Sequence, residues 1–227
     1  MSVAAVLVAA GTGERLGRGL PKALVNLCGR TILDWSVAAF ADHPELDELV
    51  VVAPPASAEA IAEAVIASCP LPCAVVPGGA SRSESVRRGL AALAALPEAT
   101  EFVLVHDAAR PLVPAQVLSN VLAALRAGAD AVVPVLPIVD TVKRVSDQLV
   151  TATVDRTELC RVQTPQGFRL ATLQAAYAAA PELVATDDAG VVEAHGVKVS
   201  TVPGDEAAFK ITTPLDLRLA ELLAADR

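Results

Sequence analysis

The chain has 227 residues, 53% of them hydrophobic and 19% charged, with a formal net charge of −8. That size and apolar content fit one globular α/β domain with a sizeable core. The acidic balance excludes a global basic field for nucleic acid or for an anionic membrane, and no apolar run reaches the length of a membrane span. The N-terminus is rich in Ala and Val but lacks the basic leader of a secretion signal, so a cytoplasmic protein is expected. Cys28, Cys69, Cys73 and Cys160 have neither a thioredoxin nor a zinc-ribbon spacing, and unpaired thiols are expected. Three histidines without an H-x-x-x-H spacing argue against a zinc enzyme.

Residues 3–8 (VAAVLV) are wholly apolar, as in a buried parallel strand. A loop with Gly11, Gly13, Gly17 and Gly19 follows, within LVAAGTGERLGRGLPK over 7–22. It matches neither familiar phosphate code. The dinucleotide fingerprint needs Gly or Ala where Leu16 stands, and the P-loop needs Lys-Ser or Lys-Thr where Arg18 or Leu20 stands. The loop carries its own cations, Arg15 and Lys22, with Arg18 between them. Backbone amides plus fixed cations make a site for a highly charged anion such as a triphosphate. A tight turn with solvated basic residues is the alternative.

Thr31 caps a helix that runs through residue 40, with Leu33, Val37 and Phe40 on one face. Residues 49–52 form a second strand, 58–68 a helix, and 73–76 a third strand stopped by Pro77-Gly78-Gly79. Ser81-Arg82-Ser83-Glu84 reads as a capping box opening a helix to about residue 96. Gly79 lets a flat base approach the main chain, with Ser85 one turn beyond Ser81; a well-capped strand–helix connection accounts for the same residues. A fourth strand, 102–105, leads directly into His106-Asp107-Ala108-Ala109-Arg110-Pro111. Asp107 there can hold Mg²⁺ or orient a hydroxyl, and Arg110 can pair with Asp107 or with phosphate. A helix over 116–127, with Gly128 as its C′ residue, precedes a fifth strand at 131–135.

The pattern then changes. Residues 141–145 and 149–154 are β-rich and joined by Ser146-Asp147-Gln148, as in a hairpin standing off the sheet, an arm at about 139–157. Residues 159–163 return to the sheet, a helix covers 170–180, and a late strand covers 197–202. Thr186-Asp187-Asp188 binds a metal near phosphates or caps the helix 189–194; capping is the expectation. Lys210 sits in an apolar context, and Pro214 opens the last helix. The alternation implies a mostly parallel sheet with helices on both faces and a ligand at the carboxyl ends of its strands.

In order, Ala9-Ala10-Gly11-Thr12-Gly13-Glu14-Arg15-Leu16-Gly17, Pro21-Lys22, Asp107-Ala108-Ala109-Arg110-Pro111, Asp140-Thr141-Val142-Lys143, Val154-Asp155-Arg156, Thr164-Pro165-Gln166, Thr186-Asp187-Asp188-Ala189 and Lys210-Ile211-Thr212 resemble the 2-C-methyl-D-erythritol 4-phosphate cytidylyltransferase family. The resemblance spans nearly the whole chain. It implies a Rossmann-like nucleotidyltransferase domain with a projecting β-arm, dimeric through that arm. It implies CTP and methylerythritol phosphate as substrates, Mg²⁺ as cofactor, and the CDP-alcohol and pyrophosphate as products of the non-mevalonate isoprenoid pathway.

By motif position, the resemblance makes Arg15 and Lys22 the transition-state stabilisers and places the methylerythritol phosphate with Arg156 and Lys210. Asp107, Arg110, Thr141 and Thr164 fall in its substrate pocket. Ala9, Ala10, Gly11, Thr12, Gly13, Gly79 and Ser85 fall in the nucleotide site. Two positions depart from the family's usual pattern: Ala80 stands where an acidic residue is common, and Ala208 where Asn is. The runner-up readings are a cytidylyltransferase for another polyol phosphate, such as ribitol 5-phosphate, and a non-catalytic nucleotide-binding module.

Overall fold

The computed structural model describes residues 2–11, 16, 20–96, 100–181, 183 and 185–225. The first apolar run forms β1 (Ser2–Val8), and a small hairpin of β2 (Asn26–Leu27) and β3 (Arg30–Thr31) precedes α1 (Ile32–Ala41). Thr31 does cap α1, in a reciprocal box with Asp34. Then come β4 (Glu48–Ala53), α2 (Ala58–Ser68), β5 (Cys73–Pro77), α3 (Arg82–Leu93), β6 (Thr100–Asp107), α4 (Ala115–Arg126) and β7 (Ala131–Pro137). Gly128 takes a φ of +106° just past α4, the left-handed C′ position. The C-terminal half holds β8 (Val142–Ser146), β9 (Leu149–Val154), β10 (Cys160–Val162), β11 (Gln166–Arg169), α5 (Leu170–Ala179), α6 (Asp188–Ala194), β12 (Val199–Pro203) and α7 (Pro214–Ala225).

Strands β5, β4, β1 and β6 lie side by side and parallel. Alternation along β1 builds both faces of the core. Val3, Ala5 and Leu7 pack with α1, α2 and α4, whereas Ala4 and Val6 pack with α3, α5 and α6. The sheet is mixed beyond β6: β11 runs antiparallel to both β6 and β7, and β12 runs parallel to β7. The β11 strand was not expected from the sequence, where Gln166-Gly167-Phe168 follows a proline and shows no alternation. Gly167 is there because α4 crosses close: a Cβ would lie 2.3 Å from Val121 Cγ1.

The expected hairpin is present. Strands β8 and β9 form a separate two-stranded sheet, exposed along almost its whole length. Its turn places Asp147 and Gln148 at φ 50° and 66°, as a two-residue type I′ turn requires.

His106, near the end of β6, is fully buried, its ring centroid 4.7 Å from that of Phe40. Its Nε2 lies 3.2 Å from the Arg110 carbonyl, which can only accept, so Nε2 carries the hydrogen. Nδ1 then accepts from the Thr164 hydroxyl at 3.0 Å. Burial pushes the imidazole pKa down to about 3.

Two outcomes are expected. Gly89→Ala places a Cβ 2.5 Å from Val6 Cγ1 and 2.9 Å from Val52 Cγ2, short and rigid side chains under α3. Overpacking should outweigh the gain in helix propensity and cost about 1–3 kcal/mol, read as a lower urea midpoint. The second concerns acid. Below pH 6.5 an unfolded histidine binds a proton that folded His106 refuses until about pH 3. Stability therefore falls as pH drops from about 6.5 toward 3, at up to about 1.4 kcal/mol per pH unit. Urea titrations from pH 7 to 5 should show this slope, and His106→Gln should flatten it.

Candidate active site

Two cavities meet at the carboxyl ends of the central strands, where parallel sheets hold ligands. The larger, about 820 Å³, is within the size range of small-molecule sites. Ala9, Ala10 and Gly11 line it as β1 ends, Lys22 from the segment beyond the glycine loop, and Gly79 and Ser85 from the start of α3. Thr12, Gly13 and Arg15, the other loop residues expected here, lie outside the described residues. The smaller cavity, about 250 Å³, is lined by Arg110, Thr164, Gln166 and Asp187 among others. Arg82, Asp107 and Lys210 line both.

The Gly78-Gly79 loop is fixed by close packing and by α3. Gly78 has no room for a Cβ, which would sit 2.2 Å from that of Ala10. Ser85 Oγ accepts from the Gly79 N–H at 3.0 Å and donates to the Ser81 carbonyl at 2.9 Å. The capping box forms by half. Ser81 Oγ accepts from the Glu84 N–H, but the Glu84 carboxylate accepts from the Ala80 N–H at 2.8 Å instead of returning to Ser81. Glu84 thus holds the loop at the very position, Ala80, that lacks an acidic side chain of its own. Arg88 completes the clamp, donating to Glu84 and to the Gly78 carbonyl.

Asp107 is the electrostatic centre. Arg82 Nε lies 3.2 Å from its Oδ1 and Lys210 Nζ 2.7 Å from its Oδ2. Burial works against the Asp107 carboxylate, but these two cations outweigh it and hold it well below the usual carboxylate range. An Asp107–Arg110 pair was one expectation; Arg110 instead donates from Nη1 to the Ala208 carbonyl at 2.8 Å. That bond helps hold the Lys210 loop despite Ala208. Gln163 also ties the loop down, through both N–H and C=O of Asp205.

Thr164 reaches the site as expected, with its Oγ accepting from the Asp107 N–H at 3.1 Å. Asp187 caps α6, as anticipated, by accepting from the Gly190 N–H. Thr141 and Arg156 line neither cavity; Arg156 sits at the base of the hairpin and donates to the Val139 carbonyl. Sequence reasoning missed Arg82 and Gln166 as cavity-lining residues. Arg82 was hidden inside a tetrapeptide already accounted for by capping. The available signal was a cation three residues after a glycine pair at a strand's carboxyl end.

Comparison with known proteins places the chain among its relatives. A family model for 2-C-methyl-D-erythritol 4-phosphate cytidylyltransferase matches residues 3–225. A protein of that description from Saccharopolyspora erythraea is 50% identical over 226 residues, covering 99% of this chain and 100% of the relative. The crystal structure of the 2-C-methyl-D-erythritol 4-phosphate cytidylyltransferase from Thermus thermophilus is 40% identical, with a TM-score of 0.79 over 99% of this chain and 100% of that one. A 4-diphosphocytidyl-2C-methyl-D-erythritol synthase from Anaerococcus prevotii superposes with a TM-score of 0.84 at 28% identity, over 99% and 98% of the two chains. With a family model matching almost its whole length and a full-length relative at 50% identity, the chain belongs to the 2-C-methyl-D-erythritol 4-phosphate cytidylyltransferase family.

Proposed function

We propose that the larger cavity takes CTP, the smaller takes the polyol phosphate, and the two anions meet across Arg82, Asp107 and Lys210. The chain is a cytidylyltransferase, converting CTP and 2-C-methyl-D-erythritol 4-phosphate to 4-diphosphocytidyl-2-C-methyl-D-erythritol and pyrophosphate. The observation that carries the assignment of cavities is that these three residues line both. A phosphate oxygen of the second substrate attacks the α-phosphorus of CTP and pyrophosphate leaves. The attacking oxygen is already an anion at neutral pH, so no strong base is needed. That suits a site whose one nearby imidazole, His106, is dry, neutral and hydrogen-bonded at both nitrogens. The difficulty is bringing anion to anion, and charge stabilisation with in-line positioning supplies the rate. Lys22 and, by motif position, Arg15 serve the triphosphate; Lys210 and Arg110 serve the second phosphate.

Family membership implies Mg²⁺. Among the described residues no group of three or more His, Cys, Asp or Glu gathers. Asp107 is the carboxylate common to both cavities, and each of its oxygens already has a cation. Such a donor set does not make a protein-built cage, and Asp107 is the residue that would contact the ion. Bound so, the ion would offset triphosphate charge.

The arm completes the reading. An isolated two-stranded hairpin is marginal in water, and this one exposes Val145, Leu149 and Val150. We place it against a second copy, where Arg156 and Thr141 enter the partner's smaller cavity. Among the described residues no helix is long and apolar enough to cross a membrane. The four free thiols suit a reducing compartment, and we assign the protein to the cytoplasm.

Pyrophosphate release from CTP against a panel of polyol phosphates tests the substrate. Methylerythritol phosphate should turn over fastest, with Mg²⁺ required; a preference for ribitol 5-phosphate would overturn the reading. Co-refolding Lys22→Ala chains with Arg156→Ala chains tests the arm. Random pairing makes about half the dimers mixed, and an Arg156 acting in trans leaves each with one intact site, so activity should recover to about a quarter of wild type. Activity no higher than the mean of the two variants would rule out a shared site.

A further inference from the structure

Behind Asp107 runs a line of buried polar groups that cytidylyl transfer, as described, does not use. Arg82 reaches Asp107 with Nε and, with Nη2, lies 2.7 Å from Asp188 Oδ2. The Asp188 side chain is 0% exposed. Its other oxygen accepts from the Tyr177 hydroxyl at 2.6 Å. Gln166 Oε1 accepts from the backbone N–H groups of Asp188 and Ala189, which seats the start of α6. Neither Asp188 nor Tyr177 lines either cavity.

A buried carboxylate is costly unless it is paired and hydrogen-bonded. Asp188 meets that condition through Arg82 and Tyr177, so Arg82 is pinned from behind. The planar guanidinium spans two carboxylates at once, which a lysine ammonium cannot do in the same way. Asp107 therefore stands between two unequal cations. Arg82 is held at both ends. Lys210 has a side chain 37% exposed and reaches Asp107 by a single ammonium contact from a loop.

That inequality matters where a phosphate must enter. A carboxylate in the cavity repels the incoming anion, and if Lys210 were its sole partner, transferring Lys210 to the phosphate would bare that charge. With Arg82 fixed on the other oxygen, Asp107 stays neutralised while Lys210 moves.

Resting on the assignment of the smaller cavity to the polyol phosphate, we propose that Arg82, anchored by buried Asp188 and Tyr177, is a positioning residue that holds Asp107 neutralised so that Lys210 can be handed from Asp107 to the phosphate of the second substrate. Arg82 acts through Asp107, and the Asp188–Tyr177 pair acts through Arg82.

Steady-state kinetics on the intact enzyme separate this from a merely structural role. Asp188→Asn should raise KM for methylerythritol phosphate on the order of tenfold, as for one lost charge-assisted hydrogen bond, and Tyr177→Phe about threefold. KM for CTP should stay within about twofold in both. Each effect should vanish when measured on the residual turnover of Lys210→Gln, because residues acting through one another are not additive. Equal rises in both KM values, unchanged KM for methylerythritol phosphate, or full additivity with Lys210→Gln would each overturn the proposal. If Asp188→Asn does not fold, Tyr177→Phe alone decides, since it deletes one hydroxyl and keeps the ring. Failure of the cavity assignment looks different: wild-type enzyme would then show no saturable dependence on methylerythritol phosphate at all.

Discussion

A single carboxylate at the end of a central strand organises this molecule. Asp107 gathers cations from the start of α3 and from the loop before α7, the second of them 103 residues away along the chain. Everything around it is arranged to make a charge tolerable there. Strand β6 supplies a rigid stem, Thr164 accepts from its backbone N–H, and α6 presents a second carboxylate that locks one of the two cations. Remove the carboxylate, and Arg82 and Lys210 would repel one another across the space that the two cavities share.

The wall of the larger cavity follows a different logic, based on close packing. Gly78 and Ala10 touch because one of them has no side chain, so the loop after β5 and the loop after β1 become one wall. Glu84 and Arg88, on successive turns of α3, fasten that wall by its backbone groups. Under the proposed assignment of this cavity to CTP, selectivity for a flat ring would come from the shape of the wall. Ala80 fits this arrangement, since its N–H is already engaged by Glu84.

Local signals carried most of the fold. Thr31 and Ser81 announced their helices because a cap is chemistry between residues three apart, and the arm was legible from two β-rich runs flanking a short polar turn. What escaped was set by distance in the chain. Strand β11 exists because α4 leaves a slot that only Gly167 fills, and Gln166-Gly167-Phe168 carries no periodicity of its own. Arg110 follows Asp107 by three residues, which invited a pairing, yet its guanidinium turns to the Ala208 carbonyl while Arg82 crosses from another helix. Ordered motifs pointed to Lys22, Lys210 and the segments around Gly11 and Gly79, and the fold brings them to the lining of one cavity. The Tyr177–Asp188–Arg82 line was not legible, because each member looks locally like a helix residue doing a helix's work.

His106 and Asp107 are neighbours in one extended strand, and their side chains leave on opposite sides of the sheet. One enters the dry layer beneath Phe40; the other enters the wet cleft between two cations. Had β6 paired with β1 one residue out of step, the two would trade places. A carboxylate would then be stranded beneath an aromatic ring without a counter-charge, and a neutral imidazole would face Arg82 and Lys210. Both halves of that exchange are unfavourable, so the alignment of the two central strands is policed by polarity as well as by the apolar residues along them. Asp107 thus constrains the register of the sheet as well as the charge of the cleft.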